Sequence, residues 1–373
     1  MSATSQVGVA EVRERLAAVD DPATGRGLGE LGLLGDVSVS GGTARVEVMV
    51  PSDDYPLRDR LENAVRDALG AISGLDGVEV SVGVLDEAGA RALAELLRST
   101  GPAAGESGVN PFTSASTRVI AVSSGKGGVG KSSVTANLSV ALARQGHDVA
   151  VVDADVWGFS MPRMLGIDRP PALVDDLIVP PSAHGVRLIS MGFFAREDQP
   201  IIWRGPMLHK ALEQFLTDVY WGEPDFLVVD MPPGTGDISM SMAEFLPRAE
   251  VVVVTTPQPA AQRVAQRAAY MARKVNLSVV GVVENMSWFR GDDGTSYELF
   301  GAGGGKELAD DLDVPLLGQV PLVPELRSGA DEGLPIVVAH PDDEASAAFD
   351  AIARRLATEI RPSKVYKSEL RIS

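Results

Sequence analysis

The stretch "SSGKGGVGKSS", residues 123–133, sets four glycines and two lysines in eleven positions. Gly125-x4-Gly130-Lys131-Ser132 fits the pattern G-x-x-x-x-G-K-[ST] of a phosphate-binding loop. It follows an apolar run, "RVIAVSS" (118–124), and opens a helical pattern, "KSSVTANLSVALARQG" (131–146). Glycines let a backbone curl so that its N–H groups face an anion, and the helix N-terminus adds a favourable dipole. On this reading Gly125, Lys126, Gly127, Gly128, Val129, Gly130, Lys131, Ser132 and Ser133 make up the nucleotide-binding loop. Lys131 reaches the β- and γ-phosphates, and the Ser132 hydroxyl ligates Mg²⁺. The bland alternative is a glycine turn into a helix. Lys126 has no part in the ordinary loop chemistry, so either it has a second role or it is a solvated loop lysine.

Beyond the loop, Val-rich runs recur: "DVAVVDAD" (148–155), "DFLVVDMPP" (225–233), "AEVVVVTTP" (249–257) and "LSVVGVVENM" (277–286). Helical stretches such as "QRVAQRAAYMARKV" (262–275) separate them. Strands apolar on both sides, alternating with helices, predict an α/β domain: a parallel sheet covered by helices on both faces. Two of these runs end in carboxylates. Asp230 closes one and suits a residue that orients Mg²⁺ through water. Gly234-Thr235-Gly236-Asp237 after it suits either a γ-phosphate-sensing loop or an ordinary tight turn. Asp153 and Asp155 close another, where ligands sit in open α/β sheets. Asp153 suits a cap or the surroundings of Mg²⁺.

Residues 1–100 have a different texture. Helical spacing in "VAEVRERLAAV" (9–19), alternation on both sides of Gly41-Gly42, an amphipathic "PLRDRLENAVRDALGAI" (56–72), a strand "VEVSVGV" (78–84) and a helix after Asp86 predict a small α+β domain. A Gly/Ser/Ala/Pro-rich linker covers 101–117, the phosphate-loop domain 118–361, and a polar tail 362–373.

Composition bounds the rest. Of 373 residues, 45% are hydrophobic, enough for sizeable cores. With 33 basic and 51 acidic side chains the net charge is −18, which disfavours nucleic acid and anionic membranes as partners. There is no cysteine, hence no disulfide, thiolate nucleophile or thiolate metal ligand. No basic n-region leads into an apolar stretch at the start, and no run is long enough to span a bilayer, so a cytoplasmic location is expected. His147, His184, His209 and His340 are scattered and have no metal-binding spacing.

"GKGGVGK" resembles the deviant phosphate loop of the MinD/ParA/nitrogenase iron-protein class. That resemblance implies ATP as ligand and a homodimer in which Lys126 crosses to the facing subunit's nucleotide. It also implies that Asp155 orients the attacking water, so that Lys126, Lys131 and Asp155 form the catalytic set. Asn285 of "VVENMS" corresponds to the residue that reads the adenine edge, although turn formation explains a lone Asn equally well. "GQVPLVPELR" (318–327) resembles the loop that closes over the base.

Longer stretches resemble the Mrp/ApbC iron–sulfur cluster carriers: "DADVWGFSMPRMLG" (153–166), "IIWRGPMLHKALEQFL" (201–216), "DFLVVDMPPGTGDISMSM" (225–242), "VVENMSWF" (282–289) and "LFGAGGGKELA" (299–309). "LGLLGDVSVSGG" (31–42) and "YPLRDRLENAV" (55–65) resemble the small assembly-type domain fused ahead of that ATPase. The resemblance implies cluster cargo and apo iron–sulfur client or assembly proteins as partners. It breaks where a Cys-x-x-Cys is customary. Gly291 and Gly294 stand there, and Tyr55 replaces the small domain's cysteine. Three explanations are open: a partner supplies thiolates, the chain has become an ATP-driven client-binding regulator, or cysteines were replaced. A MinD/ParA-like positioning ATPase is the alternative of a different class.

Overall fold

The computed structural model describes residues 7–360 except 54, 100–109, 114–115, 157, 195–204 and 235–236. Contacts group the chain into two units, 1–107 with 169–181 and 218–220, and the remainder. The polar tail, most of the 101–117 linker and the Thr235-Gly236 pair lie outside the described residues.

The first unit opens with α1 (Val9–Ala17), α2 (Leu28–Leu31), β1 (Leu34–Ser40), β2 (Thr43–Val50), α3 (Arg58–Gly70), β3 (Gly77–Val84) and α4 (Glu87–Ser99). This is the expected helix–strand order with the short α2 added. β1 and β2 pair antiparallel around Gly41 and Gly42, whose φ of 56° and 77° suit the tight turn that glycine makes possible. β3 adds parallel to β2 after the α3 crossover. Val12, Leu16, Val46, Val48, Leu61, Val65, Leu69 and Leu97 fill its core.

The second unit starts with β4 (Arg118–Ser124), α5 (Lys131–Arg144), β5 (Val149–Asp153) and α6 (Met161–Met164). The next two strands, β6 (Ala172–Val174) and β7 (Leu177–Val179), form an antiparallel hairpin belonging to the first unit. The second unit resumes with β8 (Ser182–Ala183), β9 (Val186–Ser190), α7 (Gly205–Thr217), β10 (Phe226–Asp230), α8 (Asp237–Phe245), β11 (Glu250–Thr255), α9 (Pro259–Lys274) and β12 (Ser278–Asn285). It ends with β13 (Phe289–Arg290), β14 (Ser296–Tyr297), α10 (Gly304–Asp311), β15 (Leu316–Val320), α11 (Pro324–Glu332), α12 (Ile336–Ala339) and α13 (Glu344–Arg354).

Eight strands form one sheet in the order β15-β12-β11-β4-β10-β5-β9-β8, parallel except for the short edge strand β8. Every residue of β5, β10 and β11 is buried, so the sheet is covered on both faces, as its continuous apolar runs require. α5 packs on β4, β5 and β10 and meets α13, while α9 packs on β11 and β12 and meets α10. The parallel register puts Asp230 opposite both Val122 and Asp153. Two carboxylates therefore end at one level, beside the loop that leaves β4.

Candidate functional site

The loop between β4 and α5 depends on glycine at three points. A side chain at Gly125 would collide with the backbone of Val264 and Ala265 in α9. Gly128 and Gly130 hold φ of 80° and 78°, a left-handed conformation that L side chains resist. Gly130 also abuts the Asn285 amide, leaving no room for a Cβ. Gly127 and Gly128 are exposed, with open space around them. α5 then begins at Lys131, so its positive end faces the loop.

Buried Lys131 sends its Nζ to within 2.6 Å of Asp230 Oδ2 and 3.8 Å of Asp155 Oδ2. The Ser132 hydroxyl donates to the same Asp230 oxygen at 2.6 Å. Thr135 Oγ1 lies 2.6 Å from Asp230 Oδ1 and 3.0 Å from the Lys131 carbonyl. Asp230, itself fully buried, is thus ringed by an ammonium and two hydroxyls that offset its desolvation. Sequence reading missed Thr135. Its signal was the spacing, because residues four apart share a helix face and Lys131 and Thr135 are so placed.

Asp153 is buried as well. It accepts from Ser190 Oγ at 2.9 Å and from the N–H groups of Asp155 at 3.2 Å and of Ser160 and Met161 at 3.3 Å. Burial, then the nearby Asp230 charge, pushes its carboxyl up to about 7. Asp153 therefore ties the backbone at Asp155, Ser160 and Met161 to the end of β9. Ser190, also missed, is the other half of that tie. Asp155 itself accepts from the Gly158 N–H at 3.1 Å.

These elements bound an open cleft of about 240 Å³, lined by Ser124, Lys126, Gly127, Gly128, Gly130, Lys131, Ser132, Ser133, Asp155, Gly158, Ser160, Met164 and Pro233. Lys126 is half-buried at its rim, and among the described residues its ammonium has no hydrogen-bond or ion-pair partner. The Gly234 N–H donates to the Ser124 carbonyl at 2.9 Å, joining the segment after Asp230 to the phosphate loop. Val129 and Asn285 stand apart from this wall. Asn285 is 1% exposed and lies beneath the loop, donating from Nδ2 to the Val129 carbonyl at 2.9 Å, while its Oδ1 has no partner among the described residues. Among the described residues no group of three or more His, Asp or Glu is arranged to hold a metal, and no helix is long and apolar enough to cross a membrane.

A family model described as the NUBPL iron-transfer P-loop NTPase matches residues 115–357, and one described as an iron–sulfur cluster assembly protein matches residues 9–82. The chain belongs to the iron-transfer P-loop NTPase family. Iron–sulfur cluster carrier proteins of Mycobacterium tuberculosis and Deinococcus radiodurans are each 43% identical to it, over 94% and 92% of this chain and 94% and 93% of their own. A nucleotide-binding protein of Archaeoglobus fulgidus, solved in complex with ADP, superposes with a TM-score of 0.54 at 33% identity, covering 62% of this chain and 91% of that one. The septum site-determining protein MinD of Pyrococcus horikoshii, solved with Mg-ADP, gives 0.50 at 27% identity over 67% of this chain and 100% of its own. The full-length matches are to the carriers, so the positioning-ATPase alternative is not favoured.

Proposed function

We propose that this protein is an iron–sulfur cluster carrier or assembly factor driven by Mg²⁺-dependent ATP binding and hydrolysis, working as a homodimer that ATP closes. The observation that carries it is the convergence of Lys131, Ser132 and Thr135 on Asp230 beside a glycine loop at a helix N-terminus. These oxygens suit a hard divalent cation: Ser132 would ligate Mg²⁺ directly and Asp230 through water. Bound there, Mg²⁺ would neutralise charge on the phosphate oxygens.

The loop N–H groups and the α5 dipole bind the phosphates of ATP. Lys131 exchanges its Asp230 partner for the β- and γ-phosphates, which releases the Asp230 carboxylate toward the cation site. Asp155, 3.8 Å from Lys131 Nζ, orients the attacking water. Lys126, with no partner in its own chain's described residues, reaches the nucleotide of the second subunit and stabilises charge developing on the transferred phosphoryl group. Asn285 offers its unpaired Oδ1 to the adenine amine and supports the loop from below with its other end. Clients are apo iron–sulfur proteins, as the carrier names of the relatives suggest. Phosphate release from ATP, measured with and without Mg²⁺, tests this reading. Metal-dependent turnover supports it, and a chain that binds no nucleotide contradicts it.

A further inference from the structure

We propose that any iron–sulfur cluster handled by this protein stays on thiolates of its partner, a cysteine-ligated iron–sulfur protein, and is never ligated by this chain. The inference rests on the carrier reading above and names where its cargo sits.

Iron–sulfur clusters are held by cysteine thiolates, with histidine replacing two of them in one class, while carboxylates suit harder cations. This chain has no cysteine and four histidines. Three of those are occupied in separate places: His147 packs its ring on Phe226, His184 meets the Gly333 carbonyl, and His209 bonds to Ser241. No described group of three ligating side chains exists to replace them.

The two places where thiols would be sought are closed by other contacts. At Gly291 a Cβ would lie 2.9 Å from the Tyr297 ring and 3.0 Å from Asp293 Oδ1, and Gly294 holds a φ of 79°. Both Asp293 oxygens are taken by the N–H and O–H of Thr295 at 2.9 Å, and Arg290 is paired with Glu344. Asp293 thus closes the β13–β14 turn through Thr295, and Arg290 ties the hairpin to Glu344 of α13. Tyr55 is buried and donates its hydroxyl to Asp21 at 2.6 Å, so it belongs to the first unit's core. Cargo ligands must come from outside.

The full chain is incubated anaerobically with ferrous iron, sulfide and a thiol reductant, alone and with an all-cysteine-ligated apo-ferredoxin as probe. Gel filtration then separates the proteins for iron, sulfide and visible-absorption assays. The expected result is no retained iron or charge-transfer absorption on this chain in either arm, and full loading of the ferredoxin. A cluster that co-elutes with this chain alone, or remains on it after separation, overturns the inference. Phosphate release is read in the same samples. Its loss contradicts the ATPase reading without bearing on where the cluster sits.

Discussion

The phosphate loop shows how one residue type can be fixed by two constraints at once. Gly130 needs both a left-handed backbone and the absence of a Cβ against Asn285. Thr135 is the converse case, a side chain whose role comes from what it holds. Thr135→Val keeps the shape and removes the hydroxyl on Asp230. We expect ATP turnover to fall by about tenfold with the fold intact, as for loss of one hydrogen bond to a charged group of about 1.5 kcal/mol. Steady-state kinetics with circular dichroism as control checks it. Ser190→Ala should lower kcat more than it raises KM, because the Ser190 hydroxyl reaches the segment carrying Asp155 through Asp153, while its other partner is the Gly192 N–H. Asp153 also gives a pH signature. Its folded-state pKa of about 7 lies above its ordinary value of 3.8, so the folded chain binds the proton more tightly than the unfolded one. Its contribution to stability is present below the unfolded value and is lost as pH rises through about 7. Urea titrations of the Mg²⁺-free, nucleotide-free chain should show stability falling across that window, and Asp153→Asn should flatten the fall.

Among the elements, the hairpin of β1 and β2 and the strands of the large sheet were the most legible in sequence. Two adjacent glycines between alternating runs admit few other structures, and Gly42→Ala should cost about 1–2 kcal/mol for its left-handed φ alone. The collision with the Asp76 side chain adds to that cost, and chemical denaturation of the full chain would register it. The buried parallel strands were legible because continuous Val-rich runs have one stable use between helices. The β6–β7 hairpin was not. Its grouping with residues 1–107 depends on contacts made far apart in sequence, which periodicity within 118–361 does not carry. Asn285 illustrates the same limit inside the site. Strand-end position suggests a base-reading residue, and the support that its donor gives the loop through Val129, beside Gly130, comes from packing that no sequence pattern carries.

At the scale of the whole molecule, the −18 charge and the absence of cysteine act together. An acidic chain gains little from a polyanionic partner, and a chain without cysteine offers no thiolate to a soft metal. What remains is a nucleotide cleft with a cation at its rim, Lys126, that is partnerless among the described residues. On the proposed mechanism this cation completes the site of a second copy. Sedimentation velocity of wild-type and Lys126→Ala chains with Mg²⁺ and a non-hydrolysable ATP analogue tests it most directly. Wild type should double in mass with the analogue but not with ADP, and the variant should bind the analogue yet stay monomeric. A wild-type chain saturated with analogue and still monomeric would contradict it.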